Sequence, residues 1–494
     1  MRTSLSNLLG VFALYAVAQT SGRSAEATGA AASTPDCRCF PGDACWPSTQ
    51  KWSRLNSTVS RSCDPFTSID SPCQVGAYVR YAINVTEPAD IIAGIKFAGK
   101  NNVRLVIRNT GHDYLGKSSG PGSLSLWTHH LKDIKYIPDY KSEAYYGPAL
   151  KLGAGVQGSE AYAAANENGV VVVGGFCPSV GIAGGYIQGG GRSILMSKYG
   201  LAADQTLEFE VVTGEGKHVK ASMTENRDLY WALGGGGGGA YGVVTSVIVK
   251  AHKDIPITVA RYSFRAGGTD DTSMVKFYDA LDFLHQMAPK YTDRGGFSIN
   301  LYSKGFPTSG SFFGPGWTKH NTATLFQPFI QKLDSLGLQH SLNITEFPSY
   351  SAAYGSTPET IPIGTFQNGG RMIPRDTILN KRAQFNKVVK YITPSSLLGA
   401  IMKFLLLPLQ WSQILKDQDT ITNNWGRQLR ELAPESGAYL NEADANEPNF
   451  QREFYGENYS RLLSIKNKYD PAGIFYALTA VGSDAWTQKP DGRL

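Results

Sequence analysis

Apolar and polar positions along this chain fall into two textures, which change near residue 255. Before that point, short apolar or alternating runs predict strands at 78–85, 103–108, 123–127, 150–154, 170–173, 208–213 and 243–249. Between them, helical spacing predicts helices from Pro88 to about Lys100, from Gly158 to Asn168, and near Asp228–Leu233. Pro88 suits a first helical turn, where a missing N–H leaves no hydrogen bond unmade. After Ile255 the predicted helices lengthen, at Asp270–Met287 and Thr322–Leu336, with strands such as Gly296–Tyr302. Glu453–Tyr469 reads as one closing helix, with Tyr459, Leu462, Leu463 and Ile465 available to pack. No internal repeat appears. These patterns predict dense mixed α and β structure, with one domain at 72–255, a second at 256–430, and a C-terminal segment at 431–494 that returns to the first.

Composition agrees with a globular chain. The 494 residues allow about two or three domains. Hydrophobic residues make up 42% and charged residues 18%, against about 25% charged in typical domains. Glycine is the outlier. Of 54 glycines, 27 fall in residues 111–242. Glycine concentrated in a globular segment implies close backbone approach, to packed chain or to a ligand.

Net charge is +6 and no Lys/Arg run exceeds two, which gives little support to a nucleic-acid or membrane-surface role. Residues 1–18 carry the marks of a secretory signal: Arg2, an apolar stretch from Leu8 to Ala18, and a small-residue Ala16-Val17-Ala18 site. No other apolar run nears the ~18 residues of a membrane span. The expected location is the secretory pathway or outside the cell. Residues 19–71 hold Cys37, Cys39, Cys45 and Cys63; Cys73 follows, and Cys177 stands apart. Six cysteines suit an oxidising compartment, with their pairing open. Cys37, Cys39 and Cys45 lack a matching His/Cys pair for zinc. Sequons stand at Asn56, Asn84, Asn343 and Asn458. Asn84 falls in a predicted strand and Asn458 in a predicted helix, where occlusion is expected.

Two textual motifs fail on their context. Gly111-His-Asp-Tyr-Leu-Gly116-Lys117-Ser118 matches a phosphate-binding P-loop and follows a strand. Such a loop must run into a helix, yet Ser119-Gly120-Pro121-Gly122 follows and breaks helices. Gly153-x-Gly155-x-x-Gly158 matches the dinucleotide fingerprint, which wants an acidic residue about 20 residues on. Residues 171–181 supply none. A tight strand-to-helix turn explains it.

The remaining glycine-rich stretches carry chemistry. His112 follows a strand in a glycine-rich loop. Cys177 lies within Gly174-Gly175-Phe176-Cys177-Pro178-Ser179-Val180-Gly181-Ile182-Ala183-Gly184-Gly185, far from the other cysteines. Six glycines, Gly234–Gly239, precede the strand at Val243. At these residues, and at Arg108–Asp113, Gly234–Thr245 and Asn458–Pro471, the sequence resembles vanillyl-alcohol-oxidase-type flavoproteins of the berberine-bridge-enzyme-like branch. The resemblance spans most of 72–254 and 437–486, and is weak between.

The resemblance implies an α+β fold: a PCMH-type FAD-binding domain plus a substrate domain whose antiparallel sheet is covered by helices. It implies FAD held around Asn109, Thr110, Gly111, Asp113, Gly116, Gly181, Gly184, Gly185 and Val244. It also implies two covalent bonds, from His112 to the flavin 8α-methyl carbon and from Cys177 to C6. The chemistry is sound from below, since an imidazole nitrogen and a thiolate are soft nucleophiles that an electron-poor ring can trap.

The sequence departs from the family's sugar oxidases near its end. They carry Tyr-x-Asn-Tyr-x-Asp, with the second Tyr as base. Here Tyr439-Leu-Asn441-Glu442-Ala-Asp444 puts Glu442 in that place. Glu442 could accept a substrate proton if burial adjusts it. Equally, Glu442 could be a solvated or structural carboxylate in an acidic loop with Asp444 and Glu447. Tyr186 and Ser193 stand where relatives often have His and Gly. Tyr186 fits pocket lining or packing, and His129-His130 a structural role. The expected function is FAD-dependent oxidation of a small organic molecule in fungal secondary metabolism, with O2 as acceptor. An oxidative or flavin-scaffolded cyclase, a carbohydrate oxidase and a binding protein with an idle flavin stand as alternatives.

Overall fold

The computed structural model describes residues 37–55, 78–302, 307–356, 366–393, 402–404, 411–489 and 492–494. The expected signal segment, Asn56, Cys63 and Cys73 lie outside the described residues.

Three sheets form the frame. Strands β1 (Tyr81–Asn84), β2 (Leu105–Arg108) and β3 (Leu124–Trp127) run parallel in the order β1-β3-β2. Helix α1 (Pro88–Asn101) connects β1 to β2 and buries Ile91, Ile95 and Ala98. The second sheet is antiparallel. It comprises β4 (Ile134–Lys141), β5 (Tyr146–Gly153), β6 (Thr206–Thr213), β7 (His218–Ser222) and β8 (Gly242–Lys250), in the order β4-β5-β8-β6-β7. Helices α2 (Gly158–Glu167) and α3 (Arg227–Leu233) interleave with these strands. Central β8 is buried from Gly242 to Val249, so it shows no polar alternation. Val212 and Val243 face the core of the first sheet, while Val211 and Val244 face the main core.

The third sheet, also antiparallel, comprises β9 (Ile257–Arg265), β10 (Phe297–Leu301), β11 (Thr308–Pro315) and β12 (Gln339–Phe347), in the order β10-β11-β9-β12. Alternate strand residues point to opposite faces. Tyr262, Phe264 and Phe312 therefore pack under helices α4 (Asp271–Thr292) and α5 (Lys319–Ser335), against Phe277, Leu281, Phe326 and Phe329. Ile257, Val259 and Phe313 look the other way, into the main core. The Phe313 ring lies 5.4 Å from that of Phe176, beside Cys177.

The closing segment corrects one expectation. The single helix at Glu453–Tyr469 is two, α6 (Phe450–Tyr455) and α7 (Tyr459–Tyr469). Gly456 separates them at φ 56°, a left-handed conformation that glycine adopts without steric penalty. Leu462 and Ile465 of α7 join the main core. Buried Lys466 donates to the carbonyls of Ala240 (3.0 Å) and Phe475 (2.8 Å) and pairs with Asp470 at 2.9 Å. The side chains of Asn84, Asn343 and Asn458 are exposed, so neither strand nor helix placement occludes a sequon. Cys39 and Cys45 form a disulfide, and Cys177 is free.

Candidate active site

The loop after β2 and the loop around Cys177 are tied together. Thr110 Oγ1 accepts the Gly181 N–H at 3.3 Å. Asn109 Nδ2 donates to Thr128 Oγ1 at 3.3 Å and to the Ala154 carbonyl. A Cβ on Gly181 would run into the Asn109 side-chain amide, so any other residue there would push Asn109 aside. Gly111 turns the chain at φ 81°, and a Cβ there would strike the Arg108 guanidinium. The result brings His112 and Cys177 to one hydroxyl. Ser179 Oγ lies 2.8 Å from His112 Nε2 and 3.6 Å from Cys177 Sγ. Burial draws the His112 imidazole below its ordinary 6.5, against the pull of Asp113. Burial likewise draws the Lys117 ammonium down to about 8, again opposed by Asp113. The Asp113 carboxylate itself accepts N–H bonds from Lys117 and Ser118 and so closes its own turn.

Neither textual motif is built as its fingerprint requires. The chain after Gly116 passes through turns into β3, with no helix. The N-terminus of α2 is occupied: the Gly158 N–H bonds the Val180 carbonyl (2.9 Å) and the Ser159 N–H bonds that of Pro178 (3.0 Å). Added Cβ atoms on Gly153 and Gly155 would stand 2.4 Å from the Leu131 carbonyl oxygen and 2.0 Å from that of His129. Those glycines serve chain packing.

The cradle suits a flat, electron-poor cofactor. A Cβ on Gly116 or Gly185 would meet nothing within 4 Å. One on Gly184 would lie 3.1 Å from Asn109 Cγ, and one on Gly238 would lie 3.2 Å from Gly185 Cα, so the six-glycine run abuts the Cys177 segment. Asn109 Oδ1 is buried with no hydrogen-bond partner. Open glycine backbone therefore lies beside two soft nucleophiles. Val244 stands opposite Val211 in β8, whose strand packs against the 182–186 turn.

A second cluster gathers around Tyr439. Its phenol oxygen accepts the Arg192 N–H and an Asn441 amide N–H, each at 3.0 Å. Asn441 also donates to the Tyr186 carbonyl at 2.9 Å, and the Tyr186 hydroxyl donates to that of Arg192 at 2.8 Å. Burial raises the Tyr439 phenol above its ordinary range, against those two hydrogen bonds. Glu442 pairs with Arg192 at 2.8 Å, with its side chain 38% exposed. The three carboxylates of the acidic stretch sit in different surroundings. Glu442 is an ion-paired, partly exposed carboxylate and not a deeply buried one. Asp444 and Glu447 are not solvated: Asp444 accepts from Thr422, Glu447 bonds Arg430 at 3.1 Å, and burial raises both. His129 and His130 pack on Trp127. No group among the described residues could hold a metal ion.

Sequence reasoning singled out His112, Cys177, Tyr439, Asn441 and Glu442, but gave no role to Ser179 or Arg192. The one available signal was position, each lying within a glycine-rich stretch next to a candidate.

Comparison with known proteins gives consistent results. Residues 79–222 match the FAD binding domain family, and residues 438–482 match the family described as berberine and berberine like. The FAD-linked oxidoreductase patO of Aspergillus clavatus is 39% identical, across 93% of this chain and 94% of its own. The crystal structure of the VAO-type flavoprotein MtVAO615 from Myceliophthora thermophila matches with a TM-score of 0.85 at 34% identity, over 92% of this chain and 99% of its own. A solved glucooligosaccharide oxidase of Acremonium strictum, which carries 6-S-cysteinyl, 8α-N1-histidyl FAD, shares the fold. Its TM-score is 0.67 at 17% identity, over 88% of this chain and 99% of its own.

Proposed function

The chain belongs to the berberine-bridge-enzyme-like, vanillyl-alcohol-oxidase-type FAD-linked oxidoreductases, and from that premise we propose that it is an oxidase of a small, fairly apolar organic molecule in fungal secondary metabolism. FAD is joined to it at both His112 and Cys177. The observation that carries the two-bond reading is the meeting of His112 and Cys177 at Ser179 Oγ. Asn109 and the glycines at 181, 184 and 185 would bed the cofactor. When bound, FAD supplies the hydride acceptor, and O2 is the final oxidant. Glu442 takes the substrate proton, and Arg192 holds that carboxylate in place. Tyr439 and Asn441 fix the loop that carries Glu442. The signal-like sequence of residues 1–18 and the exposed sequons at Asn84, Asn343 and Asn458 support a secreted glycoprotein.

The test is anaerobic mixing with candidate apolar alcohols and amines while the flavin absorbance is followed. Bleaching by a substrate, then H2O2 release on admitting air, is the expected result. Product formation without bleaching would overturn the oxidase reading in favour of a cyclase.

A further inference from the structure

One hydroxyl serves both candidate anchors. A serine hydroxyl has one proton to give and two lone pairs to accept with. A neutral imidazole carries its proton on one ring nitrogen only, and the nucleophile must be the other. Ser179 Oγ engages Nε2 of His112 and Sγ of Cys177 together. One assignment satisfies both contacts and leaves a lone pair on each atom free to react: Nε2–H donates to Oγ, and Oγ–H donates to Sγ. Nδ1 then keeps its lone pair. The reverse assignment, with Oγ–H on Nε2, puts the ring proton on Nδ1 and leaves Cys177 as the donor, so neither atom is a nucleophile.

Ser179 is also held firmly. Gln157 Nε2 donates to its carbonyl at 2.8 Å. The neighbouring Pro178 and Val180 carbonyls accept from the first N–H groups of α2. The turn that matches a dinucleotide fingerprint thus fixes this serine.

We infer that Ser179 is the positioning residue for flavin attachment, directing His112 to bond the 8α carbon through Nδ1 and readying Cys177 Sγ for C6. This rests on the two-bond reading above. Each attachment forms one C–N or C–S bond and breaks one C–H bond of the flavin and one N–H or S–H bond of the protein. Two protons and two electrons leave each time, and dioxygen takes them as one hydrogen peroxide. The proton lost from His112 is the one on Nε2.

The test uses the full chain, produced flavin-depleted and then given FAD in air, as wild type, Ser179→Ala and Ser179→Thr. Mass spectrometry follows flavin on the His112 and Cys177 peptides separately, and NMR of the isolated flavin peptide identifies the bonded ring nitrogen. In wild type both peptides gain flavin, His112 through Nδ1. Ser179→Ala is expected to slow both attachments by roughly 10²-fold, the low end of general acid–base effects. Ser179→Thr, which keeps a hydroxyl, restores them. Attachment in Ser179→Ala at the wild-type rate overturns the inference and leaves the two-bond reading intact. So does a wild-type bond through Nε2, whether or not the alanine variant folds. Wild-type peptides that gain no flavin overturn the two-bond reading itself.

Discussion

Glu442 and Arg192 meet from distant parts of the chain at 2.8 Å, and the carboxylate has no other cationic partner among the described ion pairs. If Glu442 accepts the substrate proton, Glu442→Gln lowers kcat by about 10²- to 10⁴-fold, the usual range for a lost general base. The flavin content stays unchanged. Steady-state turnover with flavin quantified on the same sample checks this, and unimpaired kcat removes Glu442 from the role. His112 gives a pH prediction. Its imidazole titrates below 6.5 because burial disfavours the charged form. Attachment needs the neutral ring, so the half-point of its rate in flavin-depleted protein lies below pH 6.5. A half-point above 6.5 contradicts this. His112 and Cys177 were legible in the sequence because nucleophiles set among glycines stand out. Ser179 and Arg192 were not, because each needs a partner far away along the chain, His112 for the one and Glu442 for the other.

Among the elements, glycines of one sequence motif class divide by what surrounds them. Gly155 has a backbone carbonyl where its Cβ would go, whereas Gly185 has open space. Gly155→Ala therefore destabilises the fold by about 1–3 kcal/mol, the range for overpacking, read by urea unfolding. Gly185→Ala leaves unfolding of flavin-depleted protein within about 0.5 kcal/mol of wild type yet lowers flavin uptake. Equal losses of stability at both positions would remove the distinction between chain packing and cofactor cradle. The early strands and helices were legible because their apolar periods are clean. Strand β11 was not. Its Thr-Ser-Gly-Ser start carries little apolar signal, and Gly310 is there because the Tyr262 ring lies 2.3 Å from where a Cβ would stand. The break at Gly456 was hidden by a helical pattern that continues on both sides of it.

In the whole molecule, the C-terminal segment closes the fold over the glycine run. Lys466 spends its three protons on Ala240, Phe475 and Asp470 in a site that excludes water. Lys466→Met leaves Asp470 buried beside an uncharged chain, at about 3–5 kcal/mol. Lys468→Met, which breaks an exposed pair with Asp228, changes stability by no more than about 1 kcal/mol. Parallel urea titrations check both, and similar midpoints for the two variants would contradict the buried clamp. That the tail returns to the N-terminal part was readable from its apolar face. The way the third sheet backs onto Phe176 was not, because it depends on which face of each strand the helices leave uncovered.

Acid precipitation of the purified protein, followed by digestion and mass spectrometry of the pellet, tests the central claim most directly. Two covalent bonds predict a yellow pellet and one species in which a single FAD joins the His112 peptide to the Cys177 peptide. A colourless pellet, with both peptides at their unmodified masses, would contradict it.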